Sequence, residues 1–287
     1  MFKKYCVNEK NSFKLKDFVT DEKDRKISKE EGQALMAETI ADLDILQQKM
    51  YAEKKEGLII VFQAMDAAGK DGTIRHVLSC LSPQGVRECS FKKPSETELQ
   101  HDYLWRVHQM VPKRGDIAIF NRSHYEDVLI GKVRKLYKNI PLAERIDKSE
   151  IIEKRYQEIN NFEEYLYDNG IRVLKFFLNV SNEEQVKRFL SRIEEPEKNW
   201  KFSEGDVRER EVWKEYQEAF EDAINKTASK HCPWYVIPAD DKWFMRLLVS
   251  LVIEDTLKDM DPHYPTVSED RKKEFSKFRD LLENELK

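Results

Sequence analysis

The stretch Gly57-Leu-Ile-Ile-Val-Phe-Gln-Ala-Met-Asp-Ala-Ala-Gly-Lys-Asp-Gly-Thr-Ile74 confines this chain to few folds. An apolar run of strand type ends at Gln63, and a tight loop of small residues leads to Lys70. A helix is expected to open at Asp71 to Thr73. Strand, small-residue loop, lysine and helix in that order make a cradle for a run of phosphates. Backbone N–H groups of the loop and of the helix N-terminus point inward, and the ammonium adds a point charge. Ala67, Ala68, Gly69, Lys70, Asp71, Gly72 and Thr73 are therefore candidate phosphate-binding residues. The strict pattern is not met: Ala64 stands where a first glycine is expected, and Asp71 where Ser or Thr would hold magnesium. An ordinary strand-to-helix turn is the competing reading of the stretch taken alone.

The surrounding pattern favours a sheet. Strand-like apolar runs recur at residues 58–63, 86–91, 116–121, 171–180 and 234–238, separated by Glu-, Lys- and Leu-rich segments of helical period. That alternation predicts parallel strands joined by helical crossovers, hence a three-layer α/β domain, and unbroken apolar runs suit strands covered on both faces. Ser28 followed three residues later by Glu31 reads as a capping box opening a helix over about 28–54. That helix is either a flank packed on the sheet or a contact to another subunit. The tail after Pro265 reads as one more amphipathic helix. Nothing marks a linker, so one domain with extensions is expected: an N-terminal helical extension over 1–55, the α/β domain over 56–262, and a C-terminal helix over 263–287.

Composition narrows the partners. The 50 basic residues are nearly balanced by 54 acidic ones, so no global field draws in a nucleic acid, and phosphate binding must rest on local basic clusters. The four cysteines form no Cys-x-x-Cys, which suits a reducing cytoplasm and argues against a disulfide framework or a zinc site. The N-terminal residues lack the apolar core of a signal peptide, and the longest apolar stretches are too short or interrupted to span a bilayer, so a soluble cytoplasmic protein is expected.

Asp116-Ile-Ala-Ile-Phe-Asn-Arg-Ser-His-Tyr-Glu-Asp127 is the second signal. In open α/β sheets the ligand crevice lies at the carboxyl ends of strands, where a phosphate-binding enzyme commonly places a carboxylate for magnesium. Here that position holds Asn121, a weaker ligand for a hard cation, with Glu126 available to assist. Arg122 has the geometry to fork across phosphate oxygens. Strand-end capping by Asn121 and Ser123 is the alternative.

The third signal is the segment from Arg188 to Ser203. Arg188 and Arg192 are four apart and project from one helix face, Pro196 ends the helix, and Lys198 and Lys201 follow. A helical arm of this kind, spanning about 186–212, is a candidate lid over a transferring phosphoryl group, although cations near a helix C-terminus are also favoured by the macrodipole. Lys92 at the end of the second strand and Arg134 are further phosphate candidates. Trp200 beside the lid is a candidate base contact. No histidine sits at metal-ligand spacing.

Taken together, the Ala64–Thr73 loop, Phe120-Asn-Arg-Ser-His-Tyr-Glu-Asp127 and the Arg188/Arg192–Pro196–Lys198–Trp200–Lys201 segment resemble the polyphosphate kinase family 2 proteins. The motifs stand in the family's order and spacing, and the likeness runs from about Lys29 to Leu257. It implies a P-loop kinase-like fold related to thymidylate kinases: a parallel five-stranded sheet flanked by helices, with a helical lid. The implied activity is reversible, Mg2+-dependent transfer of the terminal phosphoryl group between inorganic polyphosphate and purine nucleotides (AMP/ADP, GMP/GDP), by a homo-dimer or homo-tetramer. Family members that act mainly on diphosphates tend to carry Asp where this chain has Asn121, and Asn where it has Glu126. This chain looks more like the subgroup that accepts both mono- and diphosphates.

On that reading the acceptor oxygen is already ionised at neutral pH, so catalysis reduces to alignment and charge neutralisation. Lys70 and the loop amides are expected to hold donor and transferring phosphates, and Asp66 to orient the acceptor phosphate or magnesium. Asn121 and Glu126 are expected to organise magnesium, and Arg122, Arg188 and Arg192 to stabilise charge on the transferred group. An ATP-dependent nucleoside or nucleotide kinase of the thymidylate-kinase type remains the alternative enzyme. A guanine-nucleotide switch is disfavoured, because Asn225-Lys226 is followed by Thr-Ala rather than the x-Asp such a switch needs.

Overall fold

The computed structural model describes residues 1–286. Its strands are β1 (Cys6–Val7), β2 (Gly57–Ala64), β3 (Val86–Ser90), β4 (Ile117–Asn121), β5 (Ile171–Asn179) and β6 (Trp234–Pro238). They form one sheet in the order β1-β6-β5-β2-β4-β3. The five strands read from the sequence are all present and mutually parallel. The expectation of five strands is corrected to six, because Cys6 and Val7 pair antiparallel with Tyr235 and Trp234. Two residues are too short a run to carry a period, which is why the pattern misses them.

β2 lies at the centre, between β4 and β5, and is buried along nearly its whole length. Chain order reverses around it, so the loops leaving β2 and β4 open into one crevice at their carboxyl ends. Two groups of helices flank the sheet. Lys29–Glu53, Lys70–Leu78 and Lys242–Met260 pack together, and Ile151–Asp168 packs with Trp213–Thr227. The first helix starts at the expected capping box, with Ser28 N donating to Glu31 Oε2 at 2.9 Å and Glu31 N to Ser28 Oγ at 3.2 Å. It crosses Lys242–Met260 at Gly32, where a Cβ would stand 2.3 Å from Trp243 Cζ3. Tyr5, Val7, Phe13, Leu43 and Met50, all from the first 55 residues, belong to the main apolar core.

Beneath the segment that follows β4 lies a buried polar knot. Lys175, at 0% exposure in the middle of β5, sits 2.5 Å from Glu163 Oε2 and donates to Tyr125 Oη and to Thr227 O. Tyr125 Oη donates to Glu163 Oε1 at 2.8 Å, and His124 Nε2 lies 3.3 Å from the same oxygen. Burial pushes the Glu163 carboxyl up, but Lys175 and His124 outweigh it and hold it below its ordinary value. A buried network of this kind, unsatisfied only at His124 Nδ1 among these side chains, fixes the backbone carrying Asn121 to Glu126. No helix among the described residues is long and apolar enough to cross a membrane. The helix Glu269–Glu285 has no buried residue and leaves Phe275, Phe278, Leu281 and Leu282 exposed.

Candidate active site

The loop after β2 turns on two positive backbone angles, φ 62° at Ala67 and φ 108° at Gly69, and runs directly into helix Lys70–Leu78. Gly69 occupies a region that side chains with a Cβ rarely enter. The Lys70 side chain folds back so that Nζ donates to Ala64 O at 3.0 Å, leaving the ammonium over the mouth of the loop. Burial pushes the Lys70 ammonium below its usual value, and Asp66 partly offsets this.

A cavity of about 600 Å³ opens over this loop. Asp66 to Gly72 line it from the loop and helix start, Asn121 and Arg122 from the end of β4, and Ser90 and Lys92 from the end of β3. Arg188, Arg192, Lys198 and Lys201 close it from helix Asn182–Glu194 and the turn that follows. Of the sixteen residues read from the sequence as catalytic, phosphate-binding or metal-holding candidates, thirteen line this one cavity.

Three do not. Thr73 is fully buried, and its hydroxyl donates to Gly69 O at 3.0 Å, so it staples the helix instead of facing the cavity. Arg134 lies outside and pairs with Glu209 at 2.9 Å. Glu126 lines a separate pocket of about 60 Å³ beside Asp206, Glu209 and Tyr216. Asp66 and Arg122 border both pockets. Arg122 (φ 63°) donates from Nη2 to Asp66 Oδ1 at 3.0 Å and holds Nη1 4.0 Å from Glu126 Oε2. Burial raises the Glu126 carboxyl above its ordinary value, against the pull of Arg122 and Lys70. Burial works against the Arg122 charge, yet Glu126 and Asp66 hold its guanidinium above its usual value.

Asp66 shares the larger cavity with Asn121 and the smaller pocket with Glu126, so neither one alone is lined by the whole expected metal trio of Asp66, Asn121 and Glu126. Asn121 Nδ2 donates to Asp71 Oδ1 at 2.9 Å and to Glu88 Oε1 at 3.1 Å. The cavity's carboxylates are Asp66 and Asp71. No group of three His, Cys, Asp or Glu side chains suited to a metal occurs among the described residues. Two hard carboxylates do fit a small cation that completes its shell with phosphate oxygens and water.

The arm is tied to the neighbouring loops at its base, and its far turn is held by contacts within the arm. Arg188, 8% exposed, is bonded on every side to protein acceptors. Arg192 Nη1 reaches Asp206 Oδ2 at 3.3 Å and Lys201 O at 3.2 Å, and Lys198 pairs with Glu195 at 2.5 Å. Trp200 is 79% exposed and does not line the cavity.

Three cations were missed by sequence reasoning. Arg75, Lys242 and Arg246 line the cavity beyond Gly72 and have no carboxylate within ion-pair distance among the described residues. Burial lowers the Lys242 ammonium and the Arg246 guanidinium below their usual values, and neighbouring cations (Arg188 for the first, Arg75 for the second) lower them further. Arg246 Nε is buried without a partner. The available signal was the spacing of Lys242 and Arg246, four apart on a helix whose next turns are apolar.

Residues 26–265 match the family model described as Polyphosphate kinase 2 (PPK2). The chain is 48% identical over 258 residues to an ADP-polyphosphate phosphotransferase of Rhodopseudomonas palustris, covering 89% of each chain. It is 45% identical over 267 residues to an AMP/ADP-polyphosphate phosphotransferase of Meiothermus ruber, covering 92% of this chain and 95% of that one. The crystal structure of polyphosphate kinase 2 from Arthrobacter aurescens matches with a TM-score of 0.88 at 36% identity, over 97% of this chain and 96% of that one.

Proposed function

The chain belongs to the polyphosphate kinase 2 family, and we propose that it transfers the terminal phosphoryl group of polyphosphate to purine nucleoside mono- and diphosphates, reversibly and with Mg2+. One observation carries the reading: the Lys70 loop opens into the same cavity as the unpaired cations Arg75, Lys242 and Arg246. A nucleoside triphosphate offers three phosphates, and the loop alone can cradle those. A basic track continuing past Gly72 suits a polyanion that runs on.

In this reading the donor chain lies along Arg246, Lys242 and Arg75 with its terminal phosphate over the loop amides and Lys70. The acceptor phosphate enters between Lys92 and the Asp66–Arg122 pair. An acceptor oxygen attacks the terminal phosphorus, the bridging P–O bond breaks, and the polymer leaves one unit shorter with the electron pair on its new terminal oxygen. No protein base is required, because both oxygens are ionised at neutral pH. Lys70, Arg122 and Arg192 offset the charge gathered on the transferred group, and Lys198 completes the arm's contact with the polymer. Asp66 and Asp71 would hold Mg2+, which would supply positive charge to neutralise the phosphates during transfer. Asn121 then serves to hold Asp71, and Glu126 to hold Arg122.

The proposal includes a core made by residues 56–262, an N-terminal extension that completes its sheet and core, a lid over about 186–212, and a terminal helix. It also includes a cytoplasmic homo-dimer or homo-tetramer, for which family resemblance is the support. The deciding assay mixes purified protein, Mg2+ and polyphosphate with AMP, ADP, GMP or GDP and follows product nucleotides, with ATP replacing polyphosphate in a parallel series. Product from polyphosphate in excess of that from ATP is expected. Silence with every acceptor overturns the reading.

A further inference from the structure

Three successive carbonyl groups of the phosphate loop accept hydrogen bonds from one face of one helix. Gln185 Nε2 donates to Asp66 O at 2.8 Å, and Arg188 Nη1 donates to Ala67 O at 3.1 Å and to Ala68 O at 2.6 Å. The two side chains are three apart on helix Asn182–Glu194, so they stand one above the other. Both are buried, Gln185 at 1% and Arg188 at 8% exposure.

The remaining donors of Arg188 are also occupied. Nη2 donates to Ala239 O at 2.7 Å and Asp240 O at 3.0 Å, just past the end of β6, and Nε to Glu184 Oε1 at 2.8 Å. A guanidinium has five N–H groups in a fixed planar fork, and here five protein oxygens receive them. Nothing is left over for a phosphate. Gln185 is held in turn, since its Oε1 accepts from Arg210, which also donates to Asn182 Oδ1 at 2.7 Å.

We infer that Gln185 and Arg188 are positioning residues that aim the loop's amides. A peptide carbonyl and the N–H of the following residue point in opposite directions, so fixing the Asp66, Ala67 and Ala68 carbonyls toward the helix fixes the Ala67, Ala68 and Gly69 N–H groups away from it. The Ala68 N–H is spent on Met65 O at 3.3 Å, which leaves the Ala67 and Gly69 amides for the cavity where phosphate is proposed to sit. Arg188 acts as a clamp between the loops after β2 and β6, and its charge does not meet the transferred group. Arg192, one turn further along the same helix, is left as the arm's arginine for substrate. This assignment deepens the proposed reaction and rests on it for its kinetic consequences, but the clamp itself is a property of the unliganded chain.

The test uses Gln185→Met, Arg188→Lys, Arg188→Gln and Arg192→Gln in the full chain. Amide hydrogen exchange without substrate is read first, over residues 65–70. Faster exchange there is expected in Gln185→Met, Arg188→Lys and Arg188→Gln, and wild-type exchange in Arg192→Gln. This result stands or falls whether or not polyphosphate is the donor, so it separates failure of the clamp from failure of the reaction assignment. In the kinetic arm, Arg188→Lys keeps the charge but loses the fork, and its kcat is expected to fall ~10²-fold, as far as that of Arg188→Gln. KM for polyphosphate and the slope of log KM against log salt are expected to stay at wild-type values in both. A fall of that slope by roughly one in Arg188→Gln, with rescue by Arg188→Lys, would identify a direct phosphate contact and overturn the assignment. Gln185→Met, which swaps a side chain of similar size, guards against simple misfolding; wild-type exchange and kcat in that variant would also overturn it.

Discussion

Arg122 Nη2 lies 3.0 Å from Asp66 Oδ1, which ties the end of β4 to the loop after β2 by a charged contact across the mouth of the crevice. Asp66 also borders both pockets, the larger cavity proposed for phosphate and the smaller one that Glu126 lines. Asp66→Asn keeps the shape and removes the charge. Turnover is expected to fall ~10²-fold or more, the usual scale for one preorganised polar group. Stability should change by less than about 1 kcal/mol, because both partners are more than a quarter exposed and water screens the pair. Steady-state rates beside thermal unfolding check this, and loss of fold would refute the separation of roles.

The track of Arg75, Lys242 and Arg246 predicts a salt signature. Each cation that contacts the polymer releases counterions when it binds. Replacing one by Gln should therefore raise KM for long polyphosphate, leave kcat near wild type, and reduce the slope of log KM against log salt by roughly 0.7–0.9. Arg134→Gln supplies the contrast, since Arg134 pairs with Glu209 outside the cavity, and its slope should match wild type. Equal effects at Arg134 and Arg246 would argue against this path for the donor.

The sequence made some of this legible and hid the rest for physical reasons. β2 and its loop are readable because an eight-residue strand buried on both sides must be continuously apolar, and because a turn to φ 108° calls for Gly69. The capping box at Ser28 is local, so the four residues from Ser28 to Glu31 suffice to see it. The basic track is not local. Arg75 and Arg246 meet only because helices Lys70–Leu78 and Lys242–Met260 pack together, and no short-range pattern announces that. Thr73 is turned from the cavity for the converse reason: its hydroxyl donates to the carbonyl four residues back, at the Gly69 N-cap of its own helix, as Thr often does. Lys175 broke an apolar strand without disturbing it, because its partners Glu163 and Thr227 come from two helices elsewhere in the chain.

Gly69 offers a test of the loop's geometry apart from its charges. Its φ of 108° is strained for any residue with a Cβ, and that Cβ would stand 3.3 Å from Met245 Cε. Gly69→Ala is expected to cost ~1–2 kcal/mol from backbone strain. It should also lower turnover, because the same angle aims the Lys70 amide. Denaturant titration and rate measurement on one preparation decide this, and an unchanged midpoint would show that the loop relaxes freely.

The Lys175–Glu163 pair gives the sharpest stability prediction, because both groups are almost fully buried, at 0% and 2% exposure. Glu163→Gln leaves an uncompensated ammonium among Tyr125, Trp234 and Thr227 and is expected to cost about 3–5 kcal/mol. Removing both charges together, as Glu163→Leu with Lys175→Met, should cost far less, since desolvation of an ion pair largely cancels its attraction. The pH dependence has a definite sign. The native Glu163 carboxyl is held below its ordinary value of 4.5, so the unfolded chain takes up its proton first as pH falls. Its contribution to stability is complete above about pH 4.5 and drains away as pH drops toward the native value. The doubly substituted chain lacks this carboxyl, and its stability should therefore decline less steeply between pH 5 and pH 3 than that of the wild type. Urea unfolding at a series of pH values measures both slopes, and parallel acid limbs would show that the pair does not govern acid stability.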